Sequence, residues 1–294
     1  MSGAGLLVVG DVVTDVLACH AEPLAPATDT AARISIRPGG SAANTAAWAA
    51  RSGADVRLLA RVGADSAEWH RAALAGVRAQ LRVDQEHPTA VVICLVDAEG
   101  ERTMVTERGA GALLGPEDWD DALLAGVDRI HLSGYLLFSA PGRELARLLL
   151  ARGLPVSVDP ASTGFLAELG PDVFLDLVAG ADLLLPNAAE ARLLARAGDA
   201  PAEDAARLLS RRGPTVVVKL GADGAVVASG GELLARVPAA PVPRVTDTTG
   251  AGDAFAGGYL AGLLHGAPPA AACASGCAQA AEAVHVLGGR PPTP

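Results

Sequence analysis

The chain is poor in aromatic side chains, with three Trp, two Tyr and four Phe in 294 residues. That scarcity disfavours a site that grips a base between stacked rings. Basic charge is also in short supply: 23 Lys and Arg face 33 Asp and Glu, a net charge of −10. A polyanion-binding surface is therefore disfavoured, nucleic acid is not an expected partner, and any phosphate must be held locally. The four cysteines, Cys19, Cys94, Cys273 and Cys277, have neither the paired spacing of a disulfide framework nor that of a zinc site, which points to the cytoplasm. Cys273 and Cys277 would meet at i, i+4 on a helix, where small buried thiols are the favoured reading over a shared metal. His20, His70, His87, His131, His265 and His285 show no metal spacing either. The first apolar run, LLVVG, is too short for a signal sequence and leads into Asp11, so no targeting segment is expected. Residues 254–281 carry no Asp, Glu, Lys or Arg and are long enough to cross a bilayer, but HGAPPA interrupts them. Prolines beside a glycine end a helix, leaving two apolar pieces that read as buried core helices, and no membrane partner is expected. There is no G-x-x-x-x-G-K-[ST] and no G-x-G-x-x-G after the first strand, which removes support for Walker-type and dinucleotide sites.

What is present is an alternation of strand and helix patterns. GLLVVGDVV reads as a buried strand, SAANTAAWAARSG as an Ala-rich helix ended by Gly53, and VRLLARVG as the next strand. DRIHLSGYLL, LPVSVDP, ADLLLPN and TVVVKLG are short apolar runs bounded by Gly, Pro or Asp, with helical segments such as GRELARLLLARG and AAEARLLARAG between them. This pattern predicts an α/β fold in which a mostly parallel sheet is covered by helices on both faces. Two stretches depart from it. TAARISIRP alternates, with Ala32, Ile34 and Ile36 on one face and Arg33, Ser35 and Arg37 on the other, and predicts a strand buried on one side. Residues 90–107 read as a hairpin around DAEG. Both predict a small sheet projecting from the main body, a cover over a site. No repeat and no low-complexity linker divides the chain.

The motif DTTGAGDAFAGG, residues 247–258, lies between VPRV, read as a strand end, and an apolar helix. Amides at a helix N-terminus point outward unpaired and attract a phosphate, and small residues let it approach. A carboxylate in that first turn, Asp253, would repel a resting phosphate. It suits a group that takes a proton from an attacking hydroxyl while the amides of Gly250, Ala251 and Gly252 hold the transferred group. On the residues alone, a tight turn followed by a capping acid fits equally well.

DTTGAGDAFAGGYL resembles the second signature of the ribokinase-like carbohydrate kinases, the PfkB family. GGSAANTA, with Gly53 and Gly63 trailing it, resembles the first. The likeness extends over essentially the whole chain, through VVGDVVTD, the cover strands, LPNAAE, VVVKLGADGA and LGGRPP. It implies a ribokinase-like three-layer α/β sandwich with a mostly parallel central sheet and a small β-sheet lid. It also implies one domain over residues 1–294, with segments 14–37 and 88–108 as the lid. Asp15 matches the family's sugar-binding aspartate, and Asp11 stands four residues before it. Gly39 and Gly40 would let backbone approach the sugar while Asn44 reaches it with an amide. Asn187 and Glu190 match the N-x-x-E pair tied to magnesium and phosphate, although a helix capping box has the same spacing. KLGADGA would lie along ATP, with Lys219 neutralising phosphate charge and Gly221 and Gly224 relieving crowding. Asp247, Thr249, Gly288 and Gly289 resemble positions whose carbonyls hold a monovalent cation, K+, in many members.

The expectation is an ATP-dependent kinase that uses Mg2+ and moves the γ-phosphoryl group to a hydroxyl of a small sugar, with Asp253 as base. The alternatives are a nucleoside kinase of adenosine or pseudouridine type and a non-catalytic regulator that binds sugar or nucleotide. The apolar character of the cover strands predicts a homodimer formed through the lid.

Overall fold

The computed structural model describes residues 5–99 and 102–292. The chain opens with β1 (Gly5–Val9), passes through β2 (Val13–His20) and β3 (Ala32–Gly39), and enters helix α1 (Ser41–Arg51). There follow β4 (Asp55–Gly63), α2 (Ala67–Ala72), β5 (Arg78–Asp84), β6 (Ala90–Val96) and β7 (Arg102–Glu107). The middle of the chain holds β8 (Arg129–Ser133), α3 (Ala140–Leu150), β9 (Val156–Asp159), α4 (Thr163–Leu169), α5 (Pro171–Leu177) and the short β10 (Leu183–Leu184). It continues with α6 (Ala188–Ala195), α7 (Ala202–Ser210), β11 (Thr215–Lys219), β12 (Ala225–Ser229), β13 (Glu232–Val237), α8 (Ala251–Leu264) and α9 (Pro269–Ala283).

Among the described residues, nine strands form one sheet in the order β13-β12-β11-β10-β9-β8-β1-β4-β5. Every neighbouring pair from β11 to β5 is parallel, and at one edge the β11–β12 and β12–β13 pairs are antiparallel, so that β12 alone runs against the rest. All five residues of β1 are buried, as a central strand covered on both faces requires. Leu7 and Val9 face a core completed by α3, α5, α6 and α7, while Leu6 and Val8 face one completed by α1, α8 and α9. The uncharged stretch 254–281 becomes α8 and α9, packed into that second core, and no helix among the described residues is long and apolar enough to cross a membrane. Cys273 and Cys277 are buried there and share a side-chain hydrogen bond.

The second sheet has the order β3-β2-β6-β7. Its register puts Asp15, Arg37, Val92 and Thr106 side by side on one face, and Val16, Ile36, Ile93 and Val105 on the other. The hairpin read at 90–107 is present as β6 and β7, with Gly100 of its turn outside the described residues.

Three local readings need correction. GLLVVGDVV is not one strand: it breaks at Gly10, where a Cβ would lie 2.7 Å from that of Ser133, and Val13 begins the other sheet. VPRV forms no strand, because Pro241 and Pro243 remove the donors a ladder needs. β3 is not buried on one side within this chain, since Ile34 and Ile36 are 64% and 61% exposed. It is an edge strand whose outer face covers nothing in the same chain.

Helix α8 lies close against both α1 and α9 because it presents glycines to them. A Cβ on Gly257 would lie 2.7 Å from the Ala49 nitrogen and 2.8 Å from the Thr45 oxygen, and one on Gly258 2.8 Å from the Ser275 oxygen. Gly257→Ala gains about 1 kcal/mol of helix propensity but drives a methyl into backbone, where overpacking costs roughly 1–3 kcal/mol. The variant should unfold at a lower denaturant midpoint than the parent. A midpoint at or above the parent's would show that α1 and α8 separate freely.

Candidate active site

A cavity of 450 Å³ opens between the two sheets. Its walls come from the C-terminal ends of the central strands, the first turns of α1, α6 and α8, and the inner face of the small sheet. Crevices at the carboxyl ends of parallel strands are where open α/β sheets bind ligands, beside the N-termini of the helices that follow the strands. Asp11, Asp15, Gly40, Asn44, Asn187, Glu190, Lys219, Gly221, Thr249, Gly250, Gly252 and Asp253, all singled out from the sequence, line this cavity. Gly39, Gly224, Ala251, Asp247 and Gly288 stand behind the lining.

Asp253 sits in the first turn of α8 but does not cap it. Its two oxygens accept from side chains of α1: Ser41 Oγ donates to Oδ1 at 2.8 Å and Asn44 Nδ2 to Oδ2 at 2.9 Å. The capping-acid reading therefore fails at this residue, because the carboxylate is aimed across to another helix. Gly250 precedes it with φ 73°, and a Cβ there would lie 2.4 Å from the Gly289 Cα. Only glycine meets both conditions. Of the three amides expected to face a phosphate, that of Ala251 is directed to the Thr248 carbonyl at 3.3 Å.

Asn44 does more than the sequence suggested. Its Oδ1 accepts from Arg290 Nε at 3.1 Å, so both ends of the amide are engaged. Arg290 is 9% exposed and also donates to the carbonyls of Ala73 at 3.1 Å and Gly39 at 3.0 Å. Asp11 accepts from the amides of Ser41 and Ala42 and from Ser133 Oγ, capping α1 from outside its own chain segment. Gly39 packs against the Asp15 carboxyl, which would lie 2.0 Å from an added Cβ.

At the other end, Asn187 and Glu190 form a reciprocal capping box at the start of α6. Glu190 N donates to Asn187 Oδ1 at 2.9 Å, and Asn187 N donates to Glu190 Oε2 at 2.8 Å. The same box turns the Glu190 carboxyl toward the cavity, so capping and lining coexist in one pair. Lys219 is paired with Asp159, at the end of β9, a carboxylate the sequence reading passed over. The turn after Lys219 is the tight connection read from KLGADGA: Leu220 N donates to the Gly224 carbonyl at 2.8 Å. A Cβ on Gly224 would lie 2.0 Å from the Val237 oxygen, so this glycine serves backbone packing against β13. Asp247 accepts from Thr249 N, Thr249 Oγ1 and Gly288 N, tying the turn before α8 to the segment after α9.

Electrostatics follow from this crowding of acids. Burial pushes the Asp15 carboxyl up to about 7, Asp11 adds to the shift, and Arg290 opposes it. Burial also raises Asp253 to about 7, against the hydrogen bonds from Asn44 and Ser41. Glu190 is raised by burial and by Asp159. Burial works against the Lys219 ammonium, yet Asp159 and Glu190 hold it above its usual value. No group of three His, Cys, Asp or Glu forms a ready metal cage among the described residues. His70 and His131 are buried within the fold and do not line the cavity.

Residues 4–294 match the profile of the family described as pfkB family carbohydrate kinase. The chain belongs to the pfkB family. It is 33% identical over 276 residues to a fructokinase of Klebsiella pneumoniae, a match covering 89% of this chain and 85% of that protein. Its backbone superposes on adenosine kinase from Sinorhizobium meliloti with a TM-score of 0.87 at 28% identity, covering 99% of this chain and 96% of the other. It superposes on ribokinase from Cryptococcus neoformans var. grubii serotype A in complex with ADP with a TM-score of 0.80 at 25% identity, covering 97% and 95%. The ribokinase-like sandwich expected of a pfkB kinase, with its large mostly parallel sheet and separate smaller one, is the fold observed. Ser41, Asp159, Tyr135 and Arg290 are among the residues of this pfkB kinase's site that were not found in the sequence. Ser41 had a signal, since it follows the di-glycine directly at the head of α1.

A carboxyl whose pKa rises on folding stabilises the protein below its unfolded value and loses that contribution as pH rises through its folded value. For Asp253 that window runs from its ordinary 3.8 to about 7. His70 and His131, depressed by burial to about 4, act in the opposite direction and cancel when two variants are compared. The melting temperature of Asp253→Asn minus that of the parent should therefore grow as pH is raised across this window. A difference independent of pH would mean that the carboxyl is not desolvated.

Proposed function

We propose that the chain is a single kinase domain, residues 1–294, with segments 14–37 and 88–108 as its lid, and that Asp253 is the base of the reaction. The activity is that of the family: ATP-dependent transfer of a phosphoryl group to a hydroxyl of a sugar. One observation carries the assignment of the base, namely that Ser41 and Asn44 hold Asp253 facing the cavity although its own helix has no need of it. In this reading the acceptor hydroxyl gives its proton to Asp253, its oxygen forms the new bond to the γ-phosphorus, and the bond to ADP breaks. Asp15, Gly40 and Asn44 surround the acceptor, with Gly39 and Asp11 setting the backbone behind them. Lys219, Gly221 and Asn187 lie along the nucleotide, and the amides of Gly250 and Gly252, with Ala251 in the turn, favour the anion at the head of α8.

Asp159, Glu190 and Asp253 surround Lys219, so this end of the cavity has more carboxyls than ammonium groups, and burial has raised two of them. That donor set fits a divalent cation: Glu190 and Asn187 would hold Mg2+, in part through water, and it would neutralise charge on the phosphates. The cation also gives the Glu190 charge a use that helix capping alone does not require. The turn at Asp247 and Thr249, tied by the Asp247 side chain to Gly288, fits a second, monovalent cation such as K+ held by main-chain carbonyls. We place the protein in the cytoplasm, on its cysteine usage, and in a homodimer. Val16, Ile34, Ile36, Ile93 and Val105 share the outer face of the small sheet, and four of them are exposed in the single chain. A patch of that kind is covered in solution, and a second copy supplies a face of the same character.

Asp253→Asn keeps the shape of the carboxyl and its bond to Ser41 but cannot accept a proton. Its kcat should fall roughly 10²–10⁴-fold, the range of acid–base roles, while calorimetric affinity for ATP is kept. Turnover close to the parent's would rule Asp253 out as the base. Light scattering at micromolar protein should give twice the chain mass, and Ile36→Glu should halve it. A parent protein already at the chain mass would remove the dimer.

A further inference from the structure

The cavity has two kinds of wall. Around Asp253 the lining is polar, with Asp15 and Asn44 able to meet hydroxyls. Leu17, Val92, Met104, Leu136 and Phe165, with the ring of Tyr135 whose hydroxyl reaches the field of Asp11 and Asp253, make an apolar surface in the same cavity. Although the chain has only four Phe and two Tyr, three of those six gather at this spot. Tyr135 and Phe165 both line the cavity, with ring centroids 5.9 Å apart at 82°, and Phe138 stacks behind Phe165 at 5.1 Å and 25°. The arrangement is fixed from the lid side. Arg108, next after β7, donates to the Tyr135 carbonyl at 2.6 Å and to the Phe138 carbonyl at 2.9 Å, locking the ring-bearing turn to the small sheet.

This wall does not suit an unsubstituted monosaccharide. Such a sugar has a hydroxyl on nearly every carbon, and those turned toward Leu136 and Phe165 would lose water and find no partner. It suits a flat, weakly hydrated ring, which gains both burial and stacking against aromatic faces. Scarcity of aromatics in the sequence had pointed away from a stacked base, but composition does not report where the few rings lie.

We propose that the acceptor is a nucleoside, its sugar beside Asp15 and Asp253 and its heterocycle against Tyr135 and Phe165. The inference rests on the kinase reading and narrows it: the hydroxyl phosphorylated is still that of a sugar, but of one carrying a base. The acceptor O–H loses its proton to Asp253, its oxygen bonds to the γ-phosphorus of ATP, and the products are a nucleoside monophosphate and ADP. Thr106, the Tyr135 hydroxyl and Arg108 are polar groups that line the cavity with the apolar wall, so one or two ring heteroatoms could be read there.

The test is ADP release measured with ribose, fructose, adenosine, inosine, guanosine, cytidine and uridine as acceptors. At least one nucleoside should exceed both free sugars in kcat/KM by about 10²-fold or more, since the sugars lack the group the wall is built to hold. Phe165→Ala should raise KM for that nucleoside roughly 10- to 100-fold, the loss expected for one stacked base. Phe165→Leu, which keeps the apolar volume and protects folding, should show a loss in the same direction, while affinity for ATP changes much less. A free sugar that matches or exceeds every nucleoside overturns the proposal and leaves the kinase reading intact. So does an equal effect of both Phe165 variants on sugar and nucleoside. If no acceptor releases ADP, the kinase reading fails, and calorimetry then decides the subsite separately: nucleoside binding weakened by Phe165→Leu supports it, and no binding sinks it.

Discussion

The site depends on how closely two helices approach. Asp253 belongs to α8 and its partners Ser41 and Asn44 belong to α1, so the carboxylate is held only while the two helices lie almost in backbone contact. Gly257, one turn along from Asp253, makes that separation possible. Packing and chemistry are thus set by one distance: the glycine that lets the helices meet also fixes where the proton acceptor points. The Asp253 carboxylate is directed by another part of the chain, while its own helix begins at a glycine that needs no capping side chain.

Around that fixed point the protein tolerates an unusual density of acids. Asp11, Asp15, Asp159, Glu190 and Asp253 all line one cavity. Each is managed differently. Asp11 is occupied by the head of α1 and by Ser133, Asp159 by Lys219, and Glu190 by its capping partner Asn187. Burial raises Asp15, Glu190 and Asp253 alike to about 7. A group that ionises near neutrality is poised to exchange a proton, and of these three Asp253 is the one that side chains of another helix hold facing the cavity.

Much of this was legible in the sequence because it is local. The alternation of apolar runs gave the parallel sheet, and the two glycine-rich motifs located Asp253, Gly250 and Asn44 within a few residues of their helix starts. What was not legible depends on long-range contact. Asp159 ends an ordinary buried strand and acquires its role only when Lys219 arrives from a different strand. Arg290 sits in a Gly- and Pro-rich segment with no periodicity, and nothing local says that its guanidinium will be buried against Asn44. VPRV was misread because its valines outweighed its prolines. The exposed isoleucines of β3 were misread because alternation reports that one face is apolar, and cannot report whether the same chain covers it.

The bonds that complete the site join residues very far apart along the chain. Asn44 meets Asp253 across 209 residues, Trp48 meets Gly289 across 241, and Arg290 meets Gly39 across 251. Each such pairing closes a long loop, and loop closure must be achieved before the contact returns any stabilisation. The parallel strands between them can assemble from neighbour to neighbour, so the sheet can exist before the site does. A growing chain that has made every strand of both sheets still leaves Asn44 without either of its partners. Competence for chemistry is therefore a late event in the history of each molecule, reached only when the segment around Gly289 and Arg290 comes back to the helix that began near residue 41.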